Sequence, residues 1–249
     1  MADFRSAAYA RYVSTFKAER ATRDGRALRW YFDWCQLKYR PFFAALPRGG
    51  RVLDLGCGSG DFMRLLASQD LRAEGIDISS EQVSLAVKAG LDAHEADAFE
   101  FLASHEGTYD GIAALDLIEH FAKDELLRLL EAIAAALKPG GWLLIQTPNG
   151  EGLFSNQIVY GDLTHLTILN PRSLHQALAL TGFRNVAVRE AGPAPIGVSG
   201  RVRSVVWPVL RTGARILRYA ESSRATPVLT ENMIGFAQAA PAGKVRGSR

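Results

Sequence analysis

The chain has 249 residues, 48% of them hydrophobic and 22% charged, with a formal net charge of +3. That is enough apolar material for one large core, which excludes a disordered chain, and too slight a charge to mark a nucleic-acid binder. No run of about 18 apolar residues offers a membrane span and the first residues lack the apolar stretch of a signal peptide, so we expect a cytoplasmic protein whose two cysteines, Cys35 and Cys57, stay reduced.

Residues 1–46 precede the first strand signal and read as helical. Arg29 to Phe43 holds Trp30, Tyr31, Phe32, Trp34, Tyr39, Phe42 and Phe43. At helical spacing Tyr31, Trp34 and Lys38 share one face, and Leu28, Phe32 and Cys35 another. Such a segment either packs on a sheet edge or closes over a substrate as a lid. From residue 51 strands and helices alternate, which implies βαβ units in a parallel sheet. Val52 to Leu55 is an apolar run fit for one buried strand. Glycines follow at 56, 58 and 60, and a helix begins near Asp61 with Phe62, Leu65 and Leu66 on one face. Arg72 to Asp77 reads as the second strand, and Ser79 or Ser80 caps a helix running to about Lys88. A third strand is expected over 92–96, a short helix over 98–102 and a fourth strand over 109–115.

Leu126, Leu130, Ile133 and Leu137 give a helix over 123–137. It ends at the breaker run Lys138-Pro139-Gly140-Gly141, and a fifth strand follows over 142–147. A helix over 171–180 has Pro171 in its first turn. A strand over 185–189 comes next, and the last strand is expected over 229–237. Between these two strands lies an insertion, residues 193–228. Its Val202, Val205, Val206, Val209, Leu210, Ile216 and Leu217 fit an amphipathic helix interrupted at Pro208. Arg201, Arg203, Arg211, Arg215 and Arg218 stud the same segment. Residues 241–249 read as a disordered tail.

The run Val52-Leu-Asp54-Leu-Gly56-Cys57-Gly58-Ser-Gly60-Asp61 is the most informative in the chain. Strand, glycine turn and helix in that order make a ligand-binding edge of an open α/β sheet. A dinucleotide fingerprint needs a small third residue where Asp61 stands, and its carboxylate opposes a pyrophosphate at the helix N-terminus. The spacing suits a ligand with a positive end. The segment resembles motif I of the class I methyltransferases that use S-adenosylmethionine. The resemblance implies a Rossmann-like, doubly wound seven-stranded α/β sheet whose last strand is antiparallel and sits between the preceding two. It divides the chain into an N-terminal helical lid (1–46), a methyltransferase domain (47–240) carrying the helical insertion, and the tail. It also implies that Asp54, with Gly56, Cys57, Gly58 and Gly60, holds the methionine part of the cofactor.

Asp77 follows Gly56 by 21 residues, near the roughly 20 expected of a ribose-binding acid. Ile78 beside it can pack on adenine; a plain helix N-terminal acid is the simpler alternative for Asp77. In the resembled family the position of Asp97-Ala98 binds the adenine edge, a role compatible with an N-cap. Leu137-Lys138-Pro139-Gly140-Gly141 matches the family's turn before strand five.

Two clusters follow strands whose C-terminal ends should carry the reaction. Asp116-Leu-Ile-Glu119-His120 resembles the acid-x-x-Glu-His motif of ubiquinone-pathway O-methyltransferases, linked there to a divalent metal and a catechol. If helical, its three polar residues share a face. Glu119 and His120 are expected to cap and orient the loop, and no metal is assigned. The second cluster, Asp162-Leu-Thr-His165, resembles a segment of bacterial small-molecule and glycan O-methyltransferases whose histidine faces the acceptor. His165 is the expected base, with Asp116 and His120 as further candidates. The reading is therefore a methyltransferase acting on a sugar, glycan or small-metabolite hydroxyl. The alternatives are a ubiquinone-pathway phenol enzyme and a cofactor-binding scaffold without chemistry. The insertion over 201–218 is read as a helix covering the sheet edge, a cap over the acceptor, a nucleotide-sugar phosphate surface, or a peripheral membrane contact.

Overall fold

The structure, a computed structural model, describes residues 25–223 and 228–240. Its elements in chain order are α1 (Gly25–Lys38), α2 (Arg40–Ala45), β1 (Arg51–Leu55), α3 (Asp61–Ser68), β2 (Arg72–Asp77), α4 (Ser80–Lys88), β3 (Ala93–Glu95), α5 (Ala98–Ala103) and β4 (Tyr109–Leu115). A 3₁₀ turn (Ile118–His120) leads to α6 (Lys123–Ala136), β5 (Leu137–Pro148), α7 (Asn156–Val159), α8 (Pro171–Leu180), β6 (Phe183–Glu190), α9 (Gly197–Ser222) and β7 (Asn232–Ala239).

The seven strands lie in the order β3-β2-β1-β4-β5-β7-β6, and β7 runs antiparallel to both its neighbours. This is the doubly wound sheet expected from the motifs. Alternate residues of the central strands feed two cores. Leu53, Leu55, Ile112, Leu143 and Ile145 point to α6 and α8, where Leu126, Leu130, Ile133, Leu174 and Leu178 are buried. Val52, Ala113, Leu144, Ile234 and Phe236 point to the other side and meet Phe62 and Leu65 of α3 with Cys35, Tyr39 and Phe42 of the N-terminal helices. Burial on both faces is why these strands read as nearly continuous apolar runs. The order reverses between β1 and β4, so the ligand crevice lies at their C-terminal ends.

Three local expectations change. The breaker run before strand five is part of β5: Leu137 pairs with Tyr109, the register then shifts, and pairing resumes at Trp142 with Gly111. Gly140, at φ 80°, and the Lys138–Asp110 ion pair at 2.8 Å make the run a β-bulge. The insertion helix is not interrupted at Pro208; α9 runs 26 residues through it. Trp207 and Arg211, on either side of the proline, both donate to Glu190 Oε2, at 3.1 and 3.0 Å, and hold the two halves in line across the one backbone bond that proline removes. Asp116, Glu119 and His120 do not share a helical face, because Asp116 sits at φ 52° and only the three-residue 3₁₀ turn follows. No described helix is long and apolar enough to cross a membrane. Residues 1–24 of the expected lid and the tail 241–249 lie outside the described residues.

Candidate active site

The glycine turn after β1 is fixed by backbone. Gly56, Gly58 and Gly60 have φ of 80°, 53° and 83°, a region closed to most side chains. Gly56 and Cys57 donate their N–H groups to Ile76 O, at 2.8 and 2.9 Å, which ties the turn to β2. A Cβ on Gly60 would strike the Leu91 side chain. Asp77 closes the turn from the β2 side: its Oδ2 accepts from Gly58 N at 2.9 Å and its Oδ1 from Ser79 N at 2.8 Å. Each of these oxygens keeps a second lone pair for a ligand hydroxyl. Ile78, beside it, is 56% exposed, an apolar surface at the edge of the crevice. Asp97 caps α5, accepting from Phe99 N and Glu100 N.

Asp54 is buried on β1, and its Oδ2 has no hydrogen-bond partner among the described residues. Burial, reinforced by the charge of Asp77, raises its carboxyl to about 8. Burial also pushes the Cys57 thiol upward, so it is an inert part of the turn rather than a nucleophile. A buried carboxylate without a donor is costly unless a ligand supplies one. A cationic group fits that place, as the ammonium of S-adenosylmethionine would.

A cleft of about 720 Å³ opens at the same end of the sheet, beyond β4 and β5. Its floor is Leu115, Asp116 and Gln146; α1 supplies Trp30, Tyr31 and Trp34, and α9 supplies Val202, Val206, Trp207 and Leu210. The α1 helix contributes to both the core and the cleft. Cys35 and the following Tyr39 pack on the sheet, while Tyr31 and Trp34 roof the cleft. Trp34 Nε1 and Lys38 Nζ donate to the carbonyls of Gly192 and Pro193, which ties α1 to the start of the insertion.

A hydrogen-bonded chain runs from the core to the cleft floor. The Tyr39 hydroxyl donates to Gln146 Oε1 at 2.8 Å, and Gln146 Nε2 donates to both Asp116 oxygens, at 3.0 and 3.2 Å. Tyr39 is buried, and burial raises its phenol well above the usual range, so it stays a donor. That orients the Gln146 amide, and the amide in turn fixes the Asp116 carboxylate. The left-handed backbone of Asp116 is the kind of local strain that functional positions retain. Sequence reading missed Gln146. Its signal was a lone polar residue at the end of the apolar run Leu143-Leu144-Ile145.

His120 and His165 do not line this cleft. Their rings meet edge to face with centroids 5.0 Å apart. His165 donates from Nδ1 to Val159 O at 3.2 Å. His120 donates from Nδ1 toward Thr164, whose own hydroxyl donates to Asp162. The Asp162 carboxylate therefore orients His120 through Thr164. Glu119 is buried, accepts from Thr147 Oγ1 at 3.0 Å, and its backbone carbonyl takes Leu166 N and Thr167 N. Glu119, His120 and His165 bring ligand atoms within 4.8 Å of one another. The metal-competent trio therefore contains His165 in place of Asp116.

Sheet order, glycine turn and buried acid together define a class I S-adenosylmethionine-dependent methyltransferase. The family profile described as "Methyltransferase domain" matches residues 27–188, and the chain belongs to that family. It is 31% identical over 165 residues to a ubiquinone biosynthesis O-methyltransferase of Burkholderia pseudomallei, covering 63% of this chain and 69% of the relative. A Burkholderia ambifaria protein of the same name is 36% identical over 166 residues, covering 60% and 71%. Among solved structures, a SAM-dependent methyltransferase from Archaeoglobus fulgidus superposes with TM-score 0.65 at 24% identity, covering 85% of this chain and 94% of that one. Phosphoethanolamine N-methyltransferase 2 of Haemonchus contortus, in complex with S-adenosyl-L-methionine, gives TM-score 0.59 at 20% identity, covering 94% and 60%.

Proposed function

We propose that this methyltransferase alkylates the hydroxyl of an aromatic, phenol-type acceptor held between α1 and α9, with Asp116 taking the proton. The observation that carries the reading is the lining of the cleft: five aromatic residues, Trp30, Tyr31, Trp34, Phe154 and Trp207, over a floor whose acid is Asp116. A flat apolar ring buries well there. A sugar or glycan, the acceptor first expected, could bond to Arg203, Thr230, Glu231 and Asn232 of the same lining, but the aromatic roof and the apolar wall of Val202, Val206, Leu210 and Leu229 favour a flat ring. The ubiquinone biosynthesis relatives support the same choice.

S-adenosylmethionine supplies a methyl already activated on a sulfonium, so alignment and proton removal are what remain for the protein. Asp54 neutralises the positive end of the cofactor, Asp77 accepts from the ribose hydroxyls, and Ile78 with the Asp97–Ala98 backbone receives the adenine. Asp116, held by Gln146, accepts the acceptor's proton as the new O–CH₃ bond forms. Correct placement can contribute ~7–11 kcal/mol and the base ~10²–10⁴-fold. The test is methyl transfer from labelled S-adenosylmethionine to matched panels of catechols, simple phenols and sugars. Label in the phenolic products is expected; label only in the sugars overturns the assignment.

A second reading rests on the Glu119–His120–His165 cluster. One carboxylate and two imidazoles oriented through Nδ1 suit a divalent metal. Because the histidines stand outside the cleft lining, an ion there would order the loop over 160–167 rather than touch the acceptor. A rise in melting temperature on adding zinc or manganese, lost in Glu119→Gln, supports it. No rise removes it.

A further inference from the structure

The α9 helix is amphipathic with its apolar face turned outward. Its half-buried residues are Gly200, Ser204, Trp207, Arg211 and Ala214, a single stripe at helical spacing. That inward stripe is held by polar contacts, Trp207 and Arg211 both donating to Glu190. The opposite stripe is Val198, Val202, Val205, Val209 and Ile216, exposed by 79, 57, 73, 71 and 64%. Val206, Leu210 and Leu217 widen it. A helix covering a sheet edge would bury this face, yet none of the residues in α9 is buried. A contiguous apolar face of this size marks an interaction surface.

The charges of α9 select the partner. Residues 197–222 carry five arginines, at 201, 203, 211, 215 and 218, and one acid, Glu221. Arg201 and Arg203 flank the apolar stripe on its two sides, where their long stems can lie along apolar surface while the guanidinium reaches a phosphate. Pairing with α9 of a second copy would set arginine against arginine, which disfavours self-association. We propose that α9 seats the protein on an anionic lipid surface, its outward valine and isoleucine stripe entering the boundary between headgroups and acyl chains and Arg201 and Arg203 meeting lipid phosphates. Val202, Val206 and Leu210 belong both to this face and to the cleft wall, so the cleft opens at the docked surface. The inference stands on α9 alone and does not depend on the acceptor class.

The test is co-sedimentation of the full chain with vesicles of mixed phosphatidylglycerol and phosphatidylcholine against phosphatidylcholine alone. Partitioning about tenfold stronger on the anionic vesicles is expected, weakening as salt rises. The triple variant Val205→Asp, Val209→Asp, Ile216→Asp changes exposed residues outside the cleft lining. It should lose about tenfold or more of that partitioning while keeping S-adenosylmethionine affinity, which checks that it folds. A double variant Arg201→Glu, Arg203→Glu should lose the preference for anionic lipid. Wild-type protein left in the supernatant overturns the proposal, as does an aspartate variant that partitions like wild type. So does a wild-type dimer in sedimentation velocity that the aspartate variant dissociates, since the face then belongs to a second copy.

Discussion

The cofactor edge and the acceptor cleft sit at the same end of one sheet, yet they are assembled in different ways. At the cofactor edge, eleven consecutive residues from Val52 to Phe62 make the strand, the turn and the helix start, and Asp77 closes them with two short hydrogen bonds. At the acceptor cleft, the lining comes from α1, the ends of β4, β5 and β7, and α9, segments separated by as much as 155–158 residues where α1 bonds to the insertion. The first region is specified by local backbone demands and the second by packing between distant segments. Changes in the first should therefore act on cofactor affinity, and changes in the second on the acceptor or on turnover.

The largest separation expected on the cofactor side is Asp77→Ala. It removes an acceptor for the ribose together with the bonds to Gly58 N and Ser79 N. Calorimetry should show S-adenosylmethionine affinity down by about 10- to 100-fold, or roughly 1.5–3 kcal/mol. Unchanged affinity would mean that the ribose is held elsewhere.

A smaller effect concerns Asp54. Its carboxyl, raised from 3.8 to about 8, binds a proton in the folded protein that the unfolded chain has lost above pH 4. The sign follows from linkage: stability from this group is full below about pH 4 and is lost as pH rises to about 8, with a slope of at most about 1.4 kcal/mol per pH unit. Denaturant melts should show that decline flattened in Asp54→Asn. Binding of a cationic ligand favours the ionised form, so at pH 7 calorimetry in two buffers of different ionisation enthalpy should report release of about one proton. An equal apparent enthalpy in both buffers would detach Asp54 from the cofactor.

The smallest effect is expected at His165, read from the sequence as the base. It stands against His120 and donates to Val159 O, outside the cleft lining. His165→Ala should cost about 1 kcal/mol of stability through the lost hydrogen bond and leave kcat within about threefold. A loss of the 10²-fold order expected of a base, with affinity for the cofactor intact, would restore it to that role.

What could be read from the sequence follows the same division. The alternation of strands and helices was legible because apolar runs and turn residues are local signals, and Gly56, Gly58 and Gly60 because positive φ demands glycine; the antiparallel last strand between its two neighbours came from the resemblance to the class I methyltransferases, not from any local signal. The pairing of Tyr39 with Gln146 was not legible, since 107 residues separate them and only the folded sheet brings them together. Nor was the partnership of His165 with His120 and Glu119, which depends on the loop over 160–167 folding back across the end of β4. Pro208 misled because a helix-breaking residue was weighed without the two anchors on Glu190 that flank it. Asp116 follows the end of a strand, as its place after an apolar run implied, but the helical face it was read as sharing with Glu119 and His120 is absent, because its left-handed backbone takes the chain out of register with a helix.

The separation of the two regions is tested most directly at Asp116. Asparagine keeps the side chain's shape and tolerates the left-handed backbone, so Asp116→Asn removes the proton acceptor and one of the two bonds from Gln146 Nε2 while keeping the other. The measurement is single-turnover methyl transfer to a phenolic acceptor at saturating S-adenosylmethionine, alongside calorimetry of cofactor binding. The rate should fall by roughly 10²–10⁴ while cofactor affinity stays within about twofold. A rate within a few-fold of wild type, or a loss explained by weakened cofactor binding, would contradict the account.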